Sequence, residues 1–213
     1  MTTHVSTTWP PQPPLVAILR GLTPADATDV GRVLLDAGFQ ALEVPLNRDG
    51  ALESIAQLVK LVPADVAVGA GTVTHAAQVD AVAATGANLI VSPHLDLAVV
   101  AHACELGLRS VPGVFTASEA FAALRAGADA LKLFPAEAMP PAGLQALASV
   151  LPPGTELWPV GGVTPESMAN WRRHGATGFG IGGALYRPGV SLAVLRERAQ
   201  AFVAAWSAIA AGQ

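Results

Sequence analysis

The stretch DAGFQALEVPL, residues 36–46, ends an amphipathic segment at Gly38 and then runs directly into a compact apolar segment. Glycine tolerates the left-handed backbone conformation in which the last carbonyl groups of a helix find hydrogen-bond partners, so it often follows a helix end. These eleven residues therefore predict a helix, a turn and a buried strand, in that order.

The same pattern returns along the chain. Four more stretches place Gly between a helical and a buried-strand pattern: ATGANLIVSP (84–93), ELGLRSVPGV (105–114), RAGADALKLFP (125–135) and RHGATGFGIGG (173–183). The two long gaps each hold one more unit, with strands in DVAVGAGTV (65–73) and TELWPVGGV (155–163). Two helix starts can also be recognised in the sequence. Thr23-Pro24 and Thr164-Pro165 each place Thr at the N-cap and Pro at the first helical position, as is typical of helix starts.

With the first strand in PLVAILRG (14–21), the chain contains eight predicted strands, each followed by a helical pattern. They lie near 15–20, 41–45, 66–71, 89–92, 108–111, 130–134, 156–160 and 178–181. Apolar runs without polar alternation indicate parallel strands covered on both faces.

The expected fold is α/β, a single-domain (β/α)8 TIM barrel over residues 15–213. A doubly wound open sheet is the alternative, and the unbroken pattern up to the eighth strand favours the barrel. The proline- and threonine-rich residues 1–14 are expected to form a flexible leader.

Composition narrows the class of partner. The chain has 213 residues, of which 52% are hydrophobic and 13% charged, and its net charge is −4 without a Lys/Arg cluster. This argues against a nucleic-acid or membrane surface and favours small-molecule partners. The single cysteine, Cys104, cannot form an internal disulfide, and no signal peptide precedes the fold, so we expect a cytoplasmic protein. The histidines lack metal-ligand spacing, and no metal is expected.

Lys132 is the most unusual residue of the predicted strands. It lies between Leu131 and Leu133, and the only other lysine of the chain is Lys60. If the leucines face the helices, Lys132 points into the barrel, where burial lowers its pKa and leaves a neutral amine that can attack a ketone. The alternative is an ammonium group that reaches the barrel mouth as a counter-ion for phosphate or carboxylate.

Glu43 ends the second strand with apolar neighbours on both sides. A carboxyl group at that depth needs a partner or a raised pKa, and a raised pKa suits a proton shuttle. The alternative is a structural Glu paired with Arg20 or Lys132. In TIM barrels the active groups lie at the carboxyl ends of the strands, where both of these residues are expected.

Two glycine pairs follow the seventh and eighth strands, Gly161-Gly162 and Gly182-Gly183. Barrels commonly bind phosphate with the backbone of the loops in these two positions. Each pair alone is compatible with a simple turn, but together they favour a phosphate site.

Seven motifs then occur in order: AILRG (17–21), GFQALEVPLN (38–47), VGAGTV (68–73), LIVSP (89–93), PGVFTASEA (112–120), ALKLFP (130–135) and VGGVTPES (160–167). Together they resemble the class I aldolases of 2-keto-3-deoxy-6-phospho sugar acids. The resemblance covers nearly everything from Leu15 to Pro188. Within that family, Arg20, Asn47 and Val160 resemble the branch that acts on the galactonate epimer. The gluconate epimer, or a broad range of 2-keto-3-deoxy sugar acids, is the alternative.

The resemblance implies that Lys132 forms the imine and that Glu43 shuttles protons. It also implies a set of substrate-binding residues: Thr72 with the 69–72 backbone at the pyruvate carboxylate, Phe134 and Pro135 as a wall, Arg20 and Asn47 at substrate oxygens, and Gly161, Gly162 and Gly183 at the phosphate, with Val160 and Gly182 beside them. Relatives often carry Ser where Gly183 stands, so this chain lacks that hydroxyl donor.

The implied reaction is a retro-aldol cleavage of a phosphorylated keto acid to pyruvate and glyceraldehyde 3-phosphate, without a metal or organic cofactor. The resemblance also implies a homotrimer. Two other functions stay open on the residues alone. One is a phosphosugar isomerase or epimerase with Glu43 as base, and the other is a non-catalytic barrel that binds sugar phosphates.

Overall fold

The structure is a computed structural model that describes residues 9–211. Its strands are β1 (Leu15–Ile18), β2 (Ala41–Pro45), β3 (Ala67–Gly71), β4 (Leu89–Val91), β5 (Arg109–Val111), β6 (Gly113–Val114), β7 (Leu131–Leu133), β8 (Leu157–Pro159) and β9 (Phe179–Ile181). Its helices are α1 (Pro24–Ala37), α2 (Ala51–Leu61), α3 (Ala76–Ala83), α4 (Leu97–Glu105), α5 (Ala117–Arg125), α6 (Pro141–Ala148), α7 (Pro165–Arg173) and α8 (Leu192–Ala211).

Helix ends follow the chemistry predicted from the sequence. Gly38 adopts φ 102° after α1, and its N–H donates to the carbonyl groups of Leu34 and Leu35. The glycines at 86, 107, 127 and 175 also have positive φ. Thr23 and Thr164 cap α1 and α7 by accepting hydrogen bonds from backbone N–H groups, and Pro follows each of them. The predicted order of helix, glycine turn and strand is therefore confirmed.

All strand pairs are parallel, which confirms the predicted α/β class. They form a six-stranded sheet in the order β5-β4-β3-β2-β1-β9 and a three-stranded sheet in the order β6-β7-β8. The expected single eight-stranded sheet is not what the structure shows. The predicted fifth strand is divided into β5 and β6 at Pro112, which has no N–H to donate to a neighbouring strand. Between β8 and β9 the pairing is reduced to one parallel bridge, from Val160 to Gly180.

The curled sheets have two apolar faces because side chains alternate along each strand. The outer face packs on the helices through residues that include Ala17, Leu42, Val68, Ile90, Leu131 and Leu133. The opposite face, here called the inner face, carries Val16, Ala41, Ala67, Leu89, Val91, Val111, Ala130 and Trp158. Glu43 lies two residues after Ala41, and Lys132 two residues after Ala130, so both point to the inner face.

The segment before β1 packs on the amino-terminal end of the strands. Of the predicted leader, residues 1–8 lie outside the described residues. Trp9 stacks on Trp158 with ring centroids 5.2 Å apart, and the Arg109 guanidinium lies 5.5 Å from the Trp9 ring centroid. The carbonyl of Pro14 accepts a hydrogen bond from Phe179 at 2.9 Å. Residues 9–14 are thus part of the packed fold. In the stretch 9–211, no helix combines the length and the apolar character that a membrane crossing requires.

Replacing Trp9 by Ala should lower the free energy of unfolding by about 1–3 kcal/mol, because the aromatic contact and its buried area are lost. Urea unfolding of the full chain measures this loss, and Trp9→Phe should retain most of the stability. Trp9 lies at the end of the strands opposite to Lys132 and Glu43. A variant that keeps wild-type stability but loses function would contradict this assignment.

Candidate active site

A cavity of about 610 Å³ lies at the carboxyl ends of the strands. Ten of the twelve residues predicted for the site line it: Arg20, Glu43, Thr72, Lys132, Phe134, Val160, Gly161, Gly162, Gly182 and Gly183. They come from the ends of β1, β2, β3, β7, β8 and β9 and the loops that follow them. Parallel strands bring these ends together although the residues are far apart in the chain.

Lys132 reaches this cavity from the middle of β7. Its side chain is 6% exposed, and its backbone N–H donates to the carbonyl of Pro112 at 3.0 Å. Nζ lies 5.0 Å from the centroid of the Phe134 ring. Burial lowers the pKa of Lys132; the negative charge of Glu43 opposes this shift, and the positive charge of Arg20 adds to it.

Glu43 enters the cavity from β2 and is 2% exposed. Burial raises the pKa of its carboxyl group, against the opposing charges of Lys132 and then Arg20. Among the described residues, no oxygen of Glu43 lies within the 4.0 Å ion-pair distance of either cation. The carboxyl group is therefore not held in a close structural ion pair, and it faces the space between the strand ends.

The sequence makes room for this carboxyl group at Gly71, the last residue of β3. A Cβ on Gly71 would lie only 2.8 Å from Cγ of Glu43 and would collide with its carboxyl oxygen Oε1. Gly71 pairs with Pro45 of β2, and because Gly71 has no side chain, the Glu43 side chain can occupy the space beside it.

The pKa of Lys132 is lowered and the pKa of Glu43 is raised, and both shifts favour the uncharged form of the residue. A lowered pKa favours the neutral amine of Lys132, and a raised pKa favours the protonated form of Glu43. A neutral amine can attack a carbonyl carbon, and a nearby carboxylic acid can give a proton to the oxygen that becomes a hydroxyl. The site is therefore equipped for imine chemistry.

Thr72 borders the cavity with a strained backbone. It has φ 57°, and it is the one non-glycine residue between 9 and 211 with a positive φ. A β-branched residue rarely adopts this conformation, which costs about 1–3 kcal/mol where it occurs. Strain of this kind is found where a side chain or backbone group must point at a ligand, which supports a binding role for Thr72.

The glycines after β8 and β9 give the cavity a backbone wall. Gly161 and Gly162 have φ 113° and 64°, so only glycine fits there without strain. The Val160–Gly180 bridge holds the two strands together where these loops begin. Backbone N–H groups of such glycine turns can donate to an anion, and the side chains of Glu137 and Arg187 lie beside them.

Two predicted site residues are not in the lining. Asn47 is exposed in the loop between β2 and α2, because the chain leaves the sheet after Pro45. Pro135 is also exposed, and it caps the short 3-10 turn Ala136–Ala138.

The sequence reasoning missed several residues of the lining, among them Glu137, Thr164, Tyr186 and Arg187. Glu137 stands two residues after the LKLFP stretch, and Tyr186 and Arg187 follow GIGGAL. Their closeness to these motifs was a usable signal. Their charges and rings are common on surfaces, however, and only the course of the loops shows that they turn inward.

Comparisons with known proteins agree on one family. The KDPG and KHG aldolase family matches residues 11–193. The probable 2-dehydro-3-deoxy-6-phosphogalactonate aldolase of Rhizobium meliloti (strain 1021) is 45% identical over 204 residues, which is 96% of each chain. The 2-dehydro-3-deoxy-6-phosphogalactonate aldolase of Escherichia coli (strain K12) is 44% identical over 93% of this chain and 97% of its own. The solved structure of native KDPGal superposes with a TM-score of 0.91 at 44% identity, covering 93% of this chain and 96% of the other.

The lowered pKa of Lys132 can be tested by carbamylation with cyanate, a small reagent that modifies neutral amines. Lys60 is exposed and serves as the internal reference, because the chain has only these two lysines. At neutral pH, we expect Lys132 to react faster than Lys60 despite its burial. The pH at which the rate of Lys132 stops changing should lie below the corresponding pH for Lys60. Mass mapping of the two peptides gives both rates. Faster modification of Lys60 at neutral pH would be the contrary result.

Adding a methyl group at Gly71 should disturb the site without touching Lys132. In Gly71→Ala, the new Cβ collides with the Glu43 carboxyl group, so this group must move away from its place. We expect a loss of at least about 100-fold in any reaction that depends on proton transfer by Glu43. The measurement is turnover alongside circular dichroism, and full activity in a folded variant would show that Glu43 need not lie there.

Proposed function

Because the chain belongs to the KDPG and KHG aldolase family, we propose that it cleaves 2-dehydro-3-deoxy-6-phosphogalactonate to pyruvate and D-glyceraldehyde 3-phosphate as a class I, Schiff-base aldolase. The observation that carries this proposal is a buried lysine with a lowered pKa that shares a cavity with a buried, protonatable glutamate.

In the first half of the reaction, the neutral amine of Lys132 attacks the C2 ketone of the substrate. Glu43 gives its proton to the ketone oxygen, and the resulting carbinolamine loses water to form a protonated imine. Burial of Lys132 is required for this step, because an ordinary lysine is almost entirely protonated at neutral pH and has no free electron pair.

In the second half, the Glu43 carboxylate takes the proton of the C4 hydroxyl group. The C3–C4 bond breaks, its electrons move to the iminium nitrogen, and glyceraldehyde 3-phosphate leaves. The remaining enamine is protonated at C3, and water releases pyruvate and restores the amine. Glu43 thus alternates between acid and base, and its position between opposing electrostatic influences suits both forms.

The lining residues divide the substrate between the two ends of the cavity. Thr72 and Phe134 stand with Lys132 at the strand ends and suit the pyruvate half. The Gly161-Gly162 and Gly182-Gly183 loops suit the phosphate, because glycine backbone N–H groups can donate to an anion. Arg20 bears electrostatically on both Glu43 and Lys132, so it suits the substrate oxygens next to the reacting carbons.

The galactonate epimer is favoured over the gluconate epimer. The two curated relatives that span more than nine-tenths of the chain carry the galactonate activity in their names. Of the three positions that distinguish the branches in sequence, Arg20 and Val160 line the cavity. Asn47 lies outside the lining, so we assign the choice of epimer to Arg20 and Val160.

The closure of the barrel and the number of subunits are two further features of the proposed enzyme. We propose that the two sheets make one (β/α)8 barrel, because β5 and β6 are interrupted only by Pro112 and the Val160–Gly180 bridge joins β8 to β9. By analogy with the family, we propose a cytoplasmic homotrimer. Sedimentation equilibrium would test the trimer, and a monomeric mass at micromolar concentration would contradict it.

The decisive experiment combines turnover with trapping. Wild-type protein should release pyruvate from the galactonate substrate, detected with lactate dehydrogenase, and more slowly or not at all from its gluconate epimer. Pyruvate with borohydride should add one reduced pyruvyl group to the Lys132 peptide. Lys132→Met should lose both signals, Glu43→Gln should lose about 10²- to 10⁴-fold in kcat, and Lys60→Met is the matched control.

The alternatives give different results in the same experiment. An isomerase or epimerase would convert a phosphosugar without a pyruvyl adduct on Lys132. A non-catalytic binder would show neither turnover nor adduct. Cleavage of the gluconate epimer alone would overturn the assignment of Arg20 and Val160 as selectors of the galactonate epimer.

A further inference from the structure

Arg187 is a charged residue of the cavity to which the proposed mechanism gives no role. It follows Gly183 by four residues in the loop after β9, and it lines the same cavity as Lys132 and Glu43. Its Nε donates a hydrogen bond to the carbonyl of Gly183 at 3.0 Å. A guanidinium group has five N–H donors, so this bond fixes the side chain and leaves the Nη groups for a ligand.

The Arg187 guanidinium lies where a side chain on Gly183 would point. A Cβ built on Gly183 would lie 3.6 Å from Nε and 3.7 Å from Nη2 of Arg187. Gly183 itself offers a ligand only its backbone. The side-chain N–H donors beside Gly183 therefore come from Arg187. The hydrogen bond from its Nε to the Gly183 carbonyl fixes their position.

A phosphate at the glycine loops would lie near the negative charge of Glu137, so its binding requires a positive charge close by. In the same cavity, the Glu137 side chain packs on the Gly161-Gly162 turn: a Cβ on Gly162 would lie 2.7 Å from Cγ of Glu137. A carboxylate beside this turn repels a phosphate that binds at the turn. Arg187 is the cation that faces this end, whereas the charge of Arg20 acts on the reacting pair.

The two loops are neighbours in space. The Val160–Gly180 bridge aligns the end of β8 with β9, so the Gly161-Gly162 turn and the Gly183–Arg187 loop leave the sheet side by side. In the described residues, Arg187 forms no ion pair with Glu137 within 4.0 Å. The two charges are not neutralised by direct contact, and the space beside Arg187 can take an anion.

From this geometry we infer that Arg187 is the cationic contact for the phosphate group of the substrate, in a cavity that also contains the repelling carboxylate of Glu137. The inference rests on the proposed function for the identity of the phosphorylated ligand. It makes Arg187 a residue that selects phosphorylated over unphosphorylated keto acids. Planar guanidinium donors suit phosphate oxygens because two N–H groups can bind them in parallel.

The test compares two substrates, 2-dehydro-3-deoxy-6-phosphogalactonate and the same acid without phosphate. Arg187→Gln should raise KM for the phosphorylated substrate about 10- to 100-fold, the range expected for a lost hydrogen bond to a charged group. The value of kcat should change little, as should kcat/KM for the unphosphorylated acid. Arg187→Lys should lie between wild type and Arg187→Gln, because it keeps the charge but loses the planar donors.

Three further variants sharpen the test. Glu137→Gln should lower KM for the phosphorylated substrate, because it removes the repelling charge. Gly183→Ser in the Arg187→Gln background should recover part of the affinity, since the new hydroxyl group takes the place beside the former guanidinium without a backbone clash. Arg125→Gln, on the exposed end of α5, is the matched control and should behave as wild type.

Inorganic phosphate provides a readout that does not depend on catalysis. It should raise the melting temperature of wild type and of Arg125→Gln, and this shift should be lost in Arg187→Gln. The inference is overturned if Arg187→Gln weakens both substrates equally, or if neither KM nor the phosphate shift changes. Failure of the proposed function would look different, because wild type would then cleave neither acid while the phosphate shift still decides the role of Arg187.

Discussion

The removal of Lys132 from water, opposite Glu43, is the constraint on which the rest of the site depends. An amine in contact with bulk water stays protonated, and a carboxyl group there stays ionised. Burial lowers the pKa of Lys132 and raises the pKa of Glu43, and the opposite charge of each residue limits the shift of the other. The strands, the glycine at position 71 and the apolar inner face all serve to hold these two groups within one enclosed space.

Such a site destabilises the folded state, because two ionisable groups are buried without a close ion pair and Thr72 has a strained backbone. Apolar packing in other parts of the molecule offsets this loss of stability. The outer face of the sheets packs a continuous apolar layer against the helices, and Trp9 with Trp158 covers the amino-terminal end of the strands. Stability and chemistry thus lie at opposite ends of the strands, as is usual for parallel α/β proteins.

Charge divides the cavity into two working ends. Arg20 lines the cavity together with Lys132 and Glu43, and its charge favours the neutral amine of Lys132. Arg187 and Glu137, with opposite charges, lie beside the glycine loops, Arg187 at Gly183 and Glu137 at Gly161-Gly162. In the proposed reaction, this arrangement of charges would place the phosphate of the substrate at the glycine loops and its ketone at Lys132.

Much of this protein was determined by local sequence. Glycine after five of the helices, Thr-Pro at helix starts and apolar runs of strand length are short-range signals, and they predicted the parallel α/β class and the strand positions correctly. The motif residues at strand ends could be predicted for the same reason, since the end of a strand is visible in the sequence. The division of the predicted fifth strand at Pro112 was also visible, but its effect on sheet pairing was not.

What the tertiary structure decided depends on residues that are distant in sequence. The course of the loops took Asn47 and Pro135 out of the cavity lining and brought Glu137, Tyr186 and Arg187 into it. No local pattern shows this, because loop side chains are placed by neighbouring loops and not by their own periodicity. The burial of Lys132 beside Glu43 was likewise only an expectation until β2 and β7 were placed around one cavity. Desolvation depends on all the atoms around a group, and those atoms come from the whole chain.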